Sequence, residues 1–303
     1  MKRFLKICLT VYLCLFFVGF VSFFATGSII CRVALSRRPD TAYTDTEYNR
    51  WIAKNSSDRY IVSDDGLTLH GHFAENPDAD GKYAIVCHGY TGNATSINAY
   101  AKGIYSLGFS VLCPNARAHG KSEGELIGMG YLERRDIIGW INEIIKTDPA
   151  AQILLFGVSM GGATVLFTSG EADLPTNVKA IVSDCAFSSV YDEVGNVMKR
   201  YASFLPDFPI VDSGSVVCEL KDGYSFRDAS CVDAVKRSST PTLFIHGSKD
   251  TFVPFYMLDI LYENAACEKE KLVINGAGHG ASRKTDPDLY WATVKNFIEN
   301  KFD

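Results

Sequence analysis

The chain has 303 residues, of which 47% are hydrophobic, and its formal net charge is −5. This length suits one large α/β domain once an N-terminal segment is set aside. The mild acidity and the lack of a Lys/Arg cluster exclude the basic surface that nucleic-acid binding requires, so we expect no nucleic-acid partner.

Residues 1–31 are predicted to form a membrane anchor. Residues 7–30, ICLTVYLCLFFVGFVSFFATGSII, contain 24 positions without a charge and follow three basic residues near the N-terminus. A helix of that length reaches about 36 Å, which is enough to cross a hydrocarbon core of about 30 Å with some tilt. We therefore expect a single-pass protein that contacts the membrane through this helix.

The orientation of the anchor follows from its flanking charges. Arg32, Arg37 and Arg38 nearly balance the basic residues before the span, and the free N-terminus adds a charge on the short side. We expect the N-terminus inside the cell and the globular domain outside. A signal peptide cleaved near Ala25-Thr26-Gly27, giving a secreted protein, is the alternative, although signal peptides usually have an apolar region of about 7 to 15 residues.

The remaining chain alternates between strand and helix patterns. Residues 32–57 are predicted to form a linker with a short helix near Trp51, and residues 58–303 a single domain. Asp64-Asp65-Gly66 is a hairpin turn signal, and residues 96–107, 131–146 and 287–299 have helical spacing. The apolar runs typical of strands are 59–63, 67–73, 83–87, 109–113, 153–156, 178–182, 242–245 and 272–274. Together they predict an α/β fold with a mostly parallel eight-stranded sheet covered by helices on both faces.

Residues of about 190–239 interrupt this alternation. The segment is rich in aromatic and aliphatic residues and separates two predicted strands by far more than the usual 2 to about 6 residues. We interpret it as a short helical cap insertion over a site.

Gly157-Val158-Ser159-Met160-Gly161 follows an apolar strand and precedes a helix of small residues. It fits G-x-S-x-G, the strand-to-helix turn that presents a nucleophilic serine. Glycines two positions away on either side are needed because strand and helix approach each other closely there.

A serine nucleophile needs a base that is oriented by an acid. Among the six histidines, His279 lies in a glycine-rich loop after the last predicted strand, an accessible place for a base. Asp250 lies just past the end of the preceding strand and is the candidate acid. Ser159, Asp250 and His279 would all fall at carboxyl ends of strands, where sites collect in open α/β sheets.

The chain resembles the α/β-hydrolases over most of residues 60–300. The resemblance rests on His88-Gly89-Tyr90-Thr91-Gly92, Gly157-Val158-Ser159-Met160-Gly161, His246-Gly247-Ser248-Lys249-Asp250 and Gly278-His279-Gly280, in the family's order. It implies Ser159 as nucleophile, Asp250 as acid and His279 as base. It also implies that the backbone N–H groups of Tyr90 and Met160 form the oxyanion hole, each worth about 3 to 4 kcal/mol of barrier.

The segment Asn115-Ala116-Arg117-Ala118-His119-Gly120 departs from the family's common pattern, in which an acid leads. Asp184 is an alternative acid, because some members use an acid at the end of that strand. His88 and His246 are expected to brace the loops that carry the oxyanion donor and the acid.

The nine cysteines give little sign of a disulfide framework. Most lie in or next to apolar runs, where cysteine acts as a small hydrophobe, and only Cys218 and Cys231 could plausibly pair. No CxxC or His/Cys cluster has zinc spacing, so we expect no metal and no organic cofactor.

These patterns predict a membrane-anchored serine hydrolase that cleaves an ester, or a thioester or amide, through an acyl-enzyme. The substrate is expected to be a small-molecule acyl ester or a short peptide, and the apolar insertion and nearby bilayer favour an acyl-chain or other hydrophobic ester. The alternatives are an aminopeptidase-like exopeptidase and a catalytically silent hydrolase-like binding domain. The exopeptidase needs a carboxylate in the cap to hold an amine, and the candidates are Asp192, Glu193, Asp207 and Asp212.

Overall fold

An eight-stranded sheet forms the centre of the computed structural model, which describes residues 2–37, 51–52 and 54–302. The sheet order is β1-β2-β4-β3-β5-β6-β7-β8. β2 is antiparallel to both β1 and β4, and all the other neighbours are parallel. The strands are β1 Ser57–Val62, β2 Thr68–Ala74, β3 Lys82–Cys87, β4 Ser110–Pro114, β5 Gln152–Val158, β6 Val178–Asp184, β7 Thr242–Gly247 and β8 Lys269–Ile274. The predicted mostly parallel sheet is confirmed.

Side chains of the central strands alternate between two apolar cores on opposite faces of the sheet. On β5, Ile153 and Leu155 belong to one core, and Leu154 and Phe156 belong to the other. All four are buried, which is why this strand is a continuous apolar run rather than an alternating pattern.

Helices cover both faces of the sheet. They are α1 Lys2–Leu35, α2 Asn98–Ser106, α3 Glu133–Thr147, α4 Met160–Ser169, α5 Val190–Tyr201, α6 Asp207–Asp222, α7 Cys231–Arg237, α8 Tyr256–Asn264, α9 Ser282–Thr285 and α10 Pro287–Glu299. Trp51 and Ile52 are helical, and Ile52 is buried in the domain. The expected linker at 38–50 lies outside the described residues.

Three helices, α5, α6 and α7, occupy the connection between β6 and β7, and we call residues 190–237 the cap. The hydroxyl of Ser189 accepts a hydrogen bond from the Asp192 N–H at the start of α5. The hydroxyl of Ser230 accepts one from the Asp233 N–H at the start of α7. Such N-cap bonds satisfy N–H groups that have no partner within the helix, so the sequence itself fixes where these two helices begin.

The last turns of α1 pack against the cap helix α6. A Cβ on Gly27 would overlap the backbone of Ser213 and the side chain of Val217. The thiol of Cys31 donates to the carbonyl of Gly214 at 3.3 Å, and a Cβ on Gly214 would collide with Ile30. Small residues on both helices therefore allow a close helix-to-helix approach.

The last residues of α1 and the residues directly after it bond to the domain. Leu35 is completely buried, and its carbonyl accepts from the Ile127 N–H. The carbonyl of Ala34 accepts from the Tyr90 hydroxyl at 2.8 Å, and the Arg37 guanidinium donates to carbonyls of the 120–124 loop. The C-terminal turns of the helix are thus an integral part of the domain.

All nine cysteines are free thiols. Cys218 and Cys231, the one pair that the sequence allowed, are both buried and are not bonded to each other. Cys231 instead faces the carbonyl of Ala163 on α4, so it acts as part of the packing between α4 and α7.

The α1–α6 contact predicts a stability difference between two glycines of the same helix. Gly27→Leu should lower the free energy of unfolding by about 1 to 3 kcal/mol, because the new side chain has no room. Gly19→Leu is the matched control, since a Cβ there meets nothing within 4 Å. Denaturant unfolding of the detergent-solubilised protein measures both, and equal effects would contradict the packing.

Candidate active site

Ser159 lies in the turn between β5 and α4 with a φ of +58°. A side chain in this conformation is strained, and the surroundings must hold it there. Its N–H donates to the carbonyl of Asp184 on β6, and its carbonyl accepts from the Ala163 N–H. A Cβ on Gly157 would overlap Gly161, so glycine is required for this turn.

The three residues predicted from the sequence as nucleophile, base and acid lie in one hydrogen-bonded chain. The distance from Ser159 Oγ to His279 Nε2 is 2.8 Å, and that from His279 Nδ1 to Asp250 Oδ2 is also 2.8 Å. A carboxylate can only accept, so Nδ1 carries the proton and Nε2 is free to accept from the serine hydroxyl. This is the arrangement that a serine-activating base needs.

Asp250 is held by more bonds than the one to His279. Its Oδ1 accepts from the N–H groups of Phe252 and Val253, and its Oδ2 lies 3.3 Å from His246 Nε2. Burial alone would raise the pKa of Asp250, but hydrogen bonds to His246 and His279 outweigh burial and lower the pKa to about 2. The acid is therefore a fixed negative charge at neutral pH.

The loop after β3 passes directly beside the serine. A Cβ on Gly89 would lie 3.3 Å from Ser159 Cβ, so the backbone of this loop borders Ser159. His88 braces this loop, because its Nδ1 donates to the Gly89 carbonyl and its Nε2 accepts from the Ala116 N–H. Met160 follows Ser159 and begins α4, with its side chain buried.

A strand-to-helix serine turn joined to His279 and Asp250 on this sheet is the architecture of a known superfamily. A sequence profile described as the alpha/beta hydrolase fold matches residues 85–218. The chain has the α/β-hydrolase fold.

Relatives in sequence and solved structures agree with this fold. The chain is 29% identical over 224 residues to the uncharacterized protein YqkD of Bacillus subtilis, a match covering 72% of each chain. The esterase Pf2001 of Pyrococcus furiosus superposes with a TM-score of 0.72 at 20% identity, over 89% of this chain and 99% of that one. The acylaminoacyl peptidase of Pyrococcus horikoshii superposes with a TM-score of 0.61 at 20% identity, over 85% of this chain and 44% of that one. At these identities the two structures show a shared fold.

Asn115 stands where the hydrolase pattern often has an acid, and its side chain connects two segments of the fold. Its Oδ1 accepts from the Ala94 N–H at 2.7 Å, which directs its Nδ2 toward His70 Nδ1, also at 2.7 Å. The amide thereby joins the segment after β4 to β2. The side chain of Asn115 therefore bonds to Ala94 and His70 and not to the residues of the Ser159–His279–Asp250 chain.

Asp184, the alternative acid, has other partners in this chain. Its Oδ2 accepts from the Tyr290 hydroxyl at 3.1 Å, while His279 Nδ1 bonds to Asp250. Burial raises the pKa of Asp184 to about 6. Its backbone carbonyl supports the Ser159 turn, so its role at the site comes through the main chain.

The four cap carboxylates that the sequence offered as partners for a substrate amine have different surroundings. Asp207 pairs with Lys199, Asp212 pairs with Arg227, and Asp192 accepts from the Ser188 hydroxyl. Glu193 is only 3% exposed, and neither of its carboxyl oxygens has a hydrogen-bond partner among the described residues. Burial, and next the nearby charge of Asp250, raise the pKa of Glu193 to about 9.

Sequence reasoning did not reveal two further contacts at the site. The Phe252 ring lies 4.9 Å from the His279 ring, and the Arg200 guanidinium lies 5.3 Å from the centre of the Phe252 ring. Asn196 and Arg200 on α5 also donate to the carbonyls of Phe252 and Thr251. The spacing of Asn196 and Arg200 places both on one face of a helix, which the sequence could have indicated. The spacing does not reveal which residues this face contacts.

Two groups of described residues could by proximity hold a metal ion. Cys185 lies beside Asp250 and His279, which are already bonded to each other. The second group, Asp58, His70 and His72, is brought together by the pairing of β1 with β2. Asn115 donates to His70 Nδ1, so His70 Nε2 carries the proton and points at Asp58, which occupies the atom that a metal would need.

The unpartnered carboxyl of Glu193 predicts a pH-dependent stability. Between its unfolded pKa of 4.5 and its folded pKa of about 9, the folded protein holds a proton that the unfolded chain has released. The free energy of unfolding should therefore fall as the pH rises from 5 to 9. Glu193→Gln should flatten this slope and stabilise the protein at pH 8.

Denaturant titrations at several pH values measure this effect. Asp192→Asn, a change at the exposed neighbouring carboxylate, is the control and should leave the slope intact. A slope that persists in Glu193→Gln would show that another group is responsible.

Proposed function

We propose that the chain is a serine hydrolase that cleaves a carboxylic ester through an acyl-enzyme intermediate. The observation that carries the proposal is the continuous hydrogen-bonded chain Ser159–His279–Asp250, with both links at 2.8 Å. An otherwise weak serine nucleophile becomes effective when a neighbouring base accepts its proton as it attacks. The name of the Pyrococcus furiosus structure, an esterase, is compatible with this class of reaction.

In the proposed mechanism, Ser159 Oγ attacks the substrate carbonyl carbon while His279 Nε2 takes the hydroxyl proton. The negative charge that develops on the carbonyl oxygen is stabilised by the N–H groups of Tyr90 and Met160. His279 then donates its proton to the departing alcohol. Water, activated by the same histidine, hydrolyses the acyl-enzyme, while the Asp250 charge stabilises the imidazolium in both steps.

We propose that helix α1 stays attached and anchors the protein in a membrane, with the hydrolase domain on the extracytoplasmic side. Its length and apolar composition are sufficient to span a bilayer. Cleavage near Ala25-Thr26-Gly27 would sever the helix at a residue that packs on Ser213. The uncharged stretch of residues 7–30 is longer than the apolar region of about 7 to 15 residues that signal peptides usually have, which supports an uncleaved anchor over a secreted form.

A fluorophosphonate probe tests the nucleophile. We expect the wild-type protein to be labelled and Ser159→Ala to remain unlabelled, because an activated serine oxygen attacks the phosphorus of the probe and displaces fluoride. Unlabelled wild type, or equal labelling of Ser159→Ala, would favour the alternative of a silent hydrolase-like binding domain.

The two acids provide a matched pair for the base–acid link. Asp250→Asn should lower kcat for a soluble nitrophenyl ester by about 10³ to 10⁴-fold, because the base loses its orientation and its partner charge. Asp184→Asn should retain activity within about tenfold, since Asp184 bonds to Tyr290 instead. Equal losses would contradict the assignment of Asp250, and full turnover in His279→Ala would overturn that of the base.

A second candidate function is an exopeptidase, and Glu193 is the specific observation that favours it. A buried carboxyl without a partner in the cap could pair with the free amine of a short peptide substrate, which would also relieve its desolvation. In that case Glu193→Gln should lower kcat/KM for aminoacyl amides at least about tenfold and leave nitrophenyl esters unaffected. No hydrolysis of aminoacyl amides by the wild type would exclude this candidate.

A further inference from the structure

Three aromatic side chains at the tip of the cap face outward. Tyr201, Phe204 and Phe208 are 87%, 83% and 72% exposed, and they all lie in residues 201–208, which join α5 to α6. Single exposed apolar residues are ordinary on a protein surface, but three aromatic rings within eight positions form a patch. We call residues 201–208 the cap tip.

The cap tip lies on the side of the domain from which α1 extends. Gly27 packs against Ser213 and Val217. The C-terminal ends of both helices meet the segment 127–131, because the Ile127 N–H donates to the Leu35 carbonyl and the Tyr131 ring lies 5.1 Å from the ring of Tyr224, just past α6. Later residues of α1 therefore meet later residues of α6, which means that the two helices run in the same direction. The beginning of α6, with Phe208, must then lie beside the part of α1 that precedes Gly27.

The length of α1 determines how close a bilayer comes to the cap tip. Residues 7–23 are the 17 uncharged positions before the first helix residues that pack on the domain, beginning near Phe24. They span about 25 Å, less than the roughly 30 Å of a hydrocarbon core. The bilayer must therefore also cover the next turns of α1, and so reach the level of Phe208.

We propose that the cap tip inserts into the bilayer interface beside α1, so that the active site opens directly on the lipid surface. Aromatic rings are the side chains that this interface accommodates best. The proposal rests on α1 spanning a membrane. If the proposed function also holds, the substrate is an ester with a long acyl chain that resides in the bilayer.

A short path of contacts connects the cap tip to the base. Arg200, the residue before Tyr201, donates to the Thr251 carbonyl and stacks on Phe252. The Phe252 ring in turn lies against His279. The cap tip is thus linked to the base through two side chains, Arg200 and Phe252, and an acyl ester leaving the bilayer there would reach the site past the Phe252 ring.

Tryptophan quenching in nanodiscs tests the membrane contact without relying on activity. The full chain carrying Phe204→Trp is reconstituted into phosphatidylcholine nanodiscs with bromine on the acyl chains. We expect the emission added by the new tryptophan to fall by about half relative to unbrominated discs, because bromine quenches at short range in the interface.

Leu220→Trp is the matched control. Leu220 is 72% exposed and lies near the other end of α6, ten residues after Ile210 and so about 15 Å farther along the helix from the cap tip. Its added emission should be unaffected by bromine. Quenching of Phe204→Trp that is no stronger than that of Leu220→Trp would overturn the proposal.

Activity on two substrates tests the consequence for the site. For Phe204→Ser combined with Phe208→Ser, the rate on a long-chain monoacylglycerol in nanodiscs, divided by the rate on soluble nitrophenyl butyrate, should fall about tenfold. Leu220→Ser should keep the wild-type ratio. An unchanged ratio in the double variant would overturn supply from the bilayer. A wild type that hydrolyses neither ester would instead refute the proposed function and leave the quenching result to decide the membrane contact.

Discussion

The positive φ of Ser159 is the constraint on which the site depends. A side chain held in this region costs about 1 to 3 kcal/mol, and it persists only where neighbouring structure leaves no alternative. Here β5 is flanked by parallel strands on both sides, and the bond from Ser159 N–H to the Asp184 carbonyl fixes the turn against β6. The close approach of α4 to the sheet, which Gly157 and Gly161 permit, completes the restraint.

Asp250 and His279 differ in the number of bonds that fix their positions. Asp250 is anchored by backbone N–H groups and by His246, so its position does not depend on the base. His279 lies in a loop and is fixed mainly by its bonds to Asp250 and Ser159. A fixed charge beside a less restrained imidazole suits chemistry in which the base must accept a proton from one oxygen and deliver it to another.

Local patterns predicted the sheet and the three central residues, because strand periodicity and the glycine turn around Ser159 depend on nearby sequence. The strands agree with the structure to within three residues at each end. Strand order, the packing of Gly27 on α6 and the burial of Glu193 depend on contacts between distant segments, which no local pattern encodes. Helix α8 was missed because it is only nine residues long and directly follows the loop that carries Asp250.

The attachment of residues 27–37 to the domain decides where a soluble form of the protein can begin. A chain shortened to start near Gly27 would lose the lipid-facing turns and keep Leu35 in the core, the Ala34 carbonyl on Tyr90 and the Arg37 contacts. A chain starting after Arg37 would leave a Leu-sized void and remove the partner of the Tyr90 hydroxyl, in the loop that passes Ser159. For crystallisation and enzymology, the useful cut therefore lies inside the helix rather than at its end.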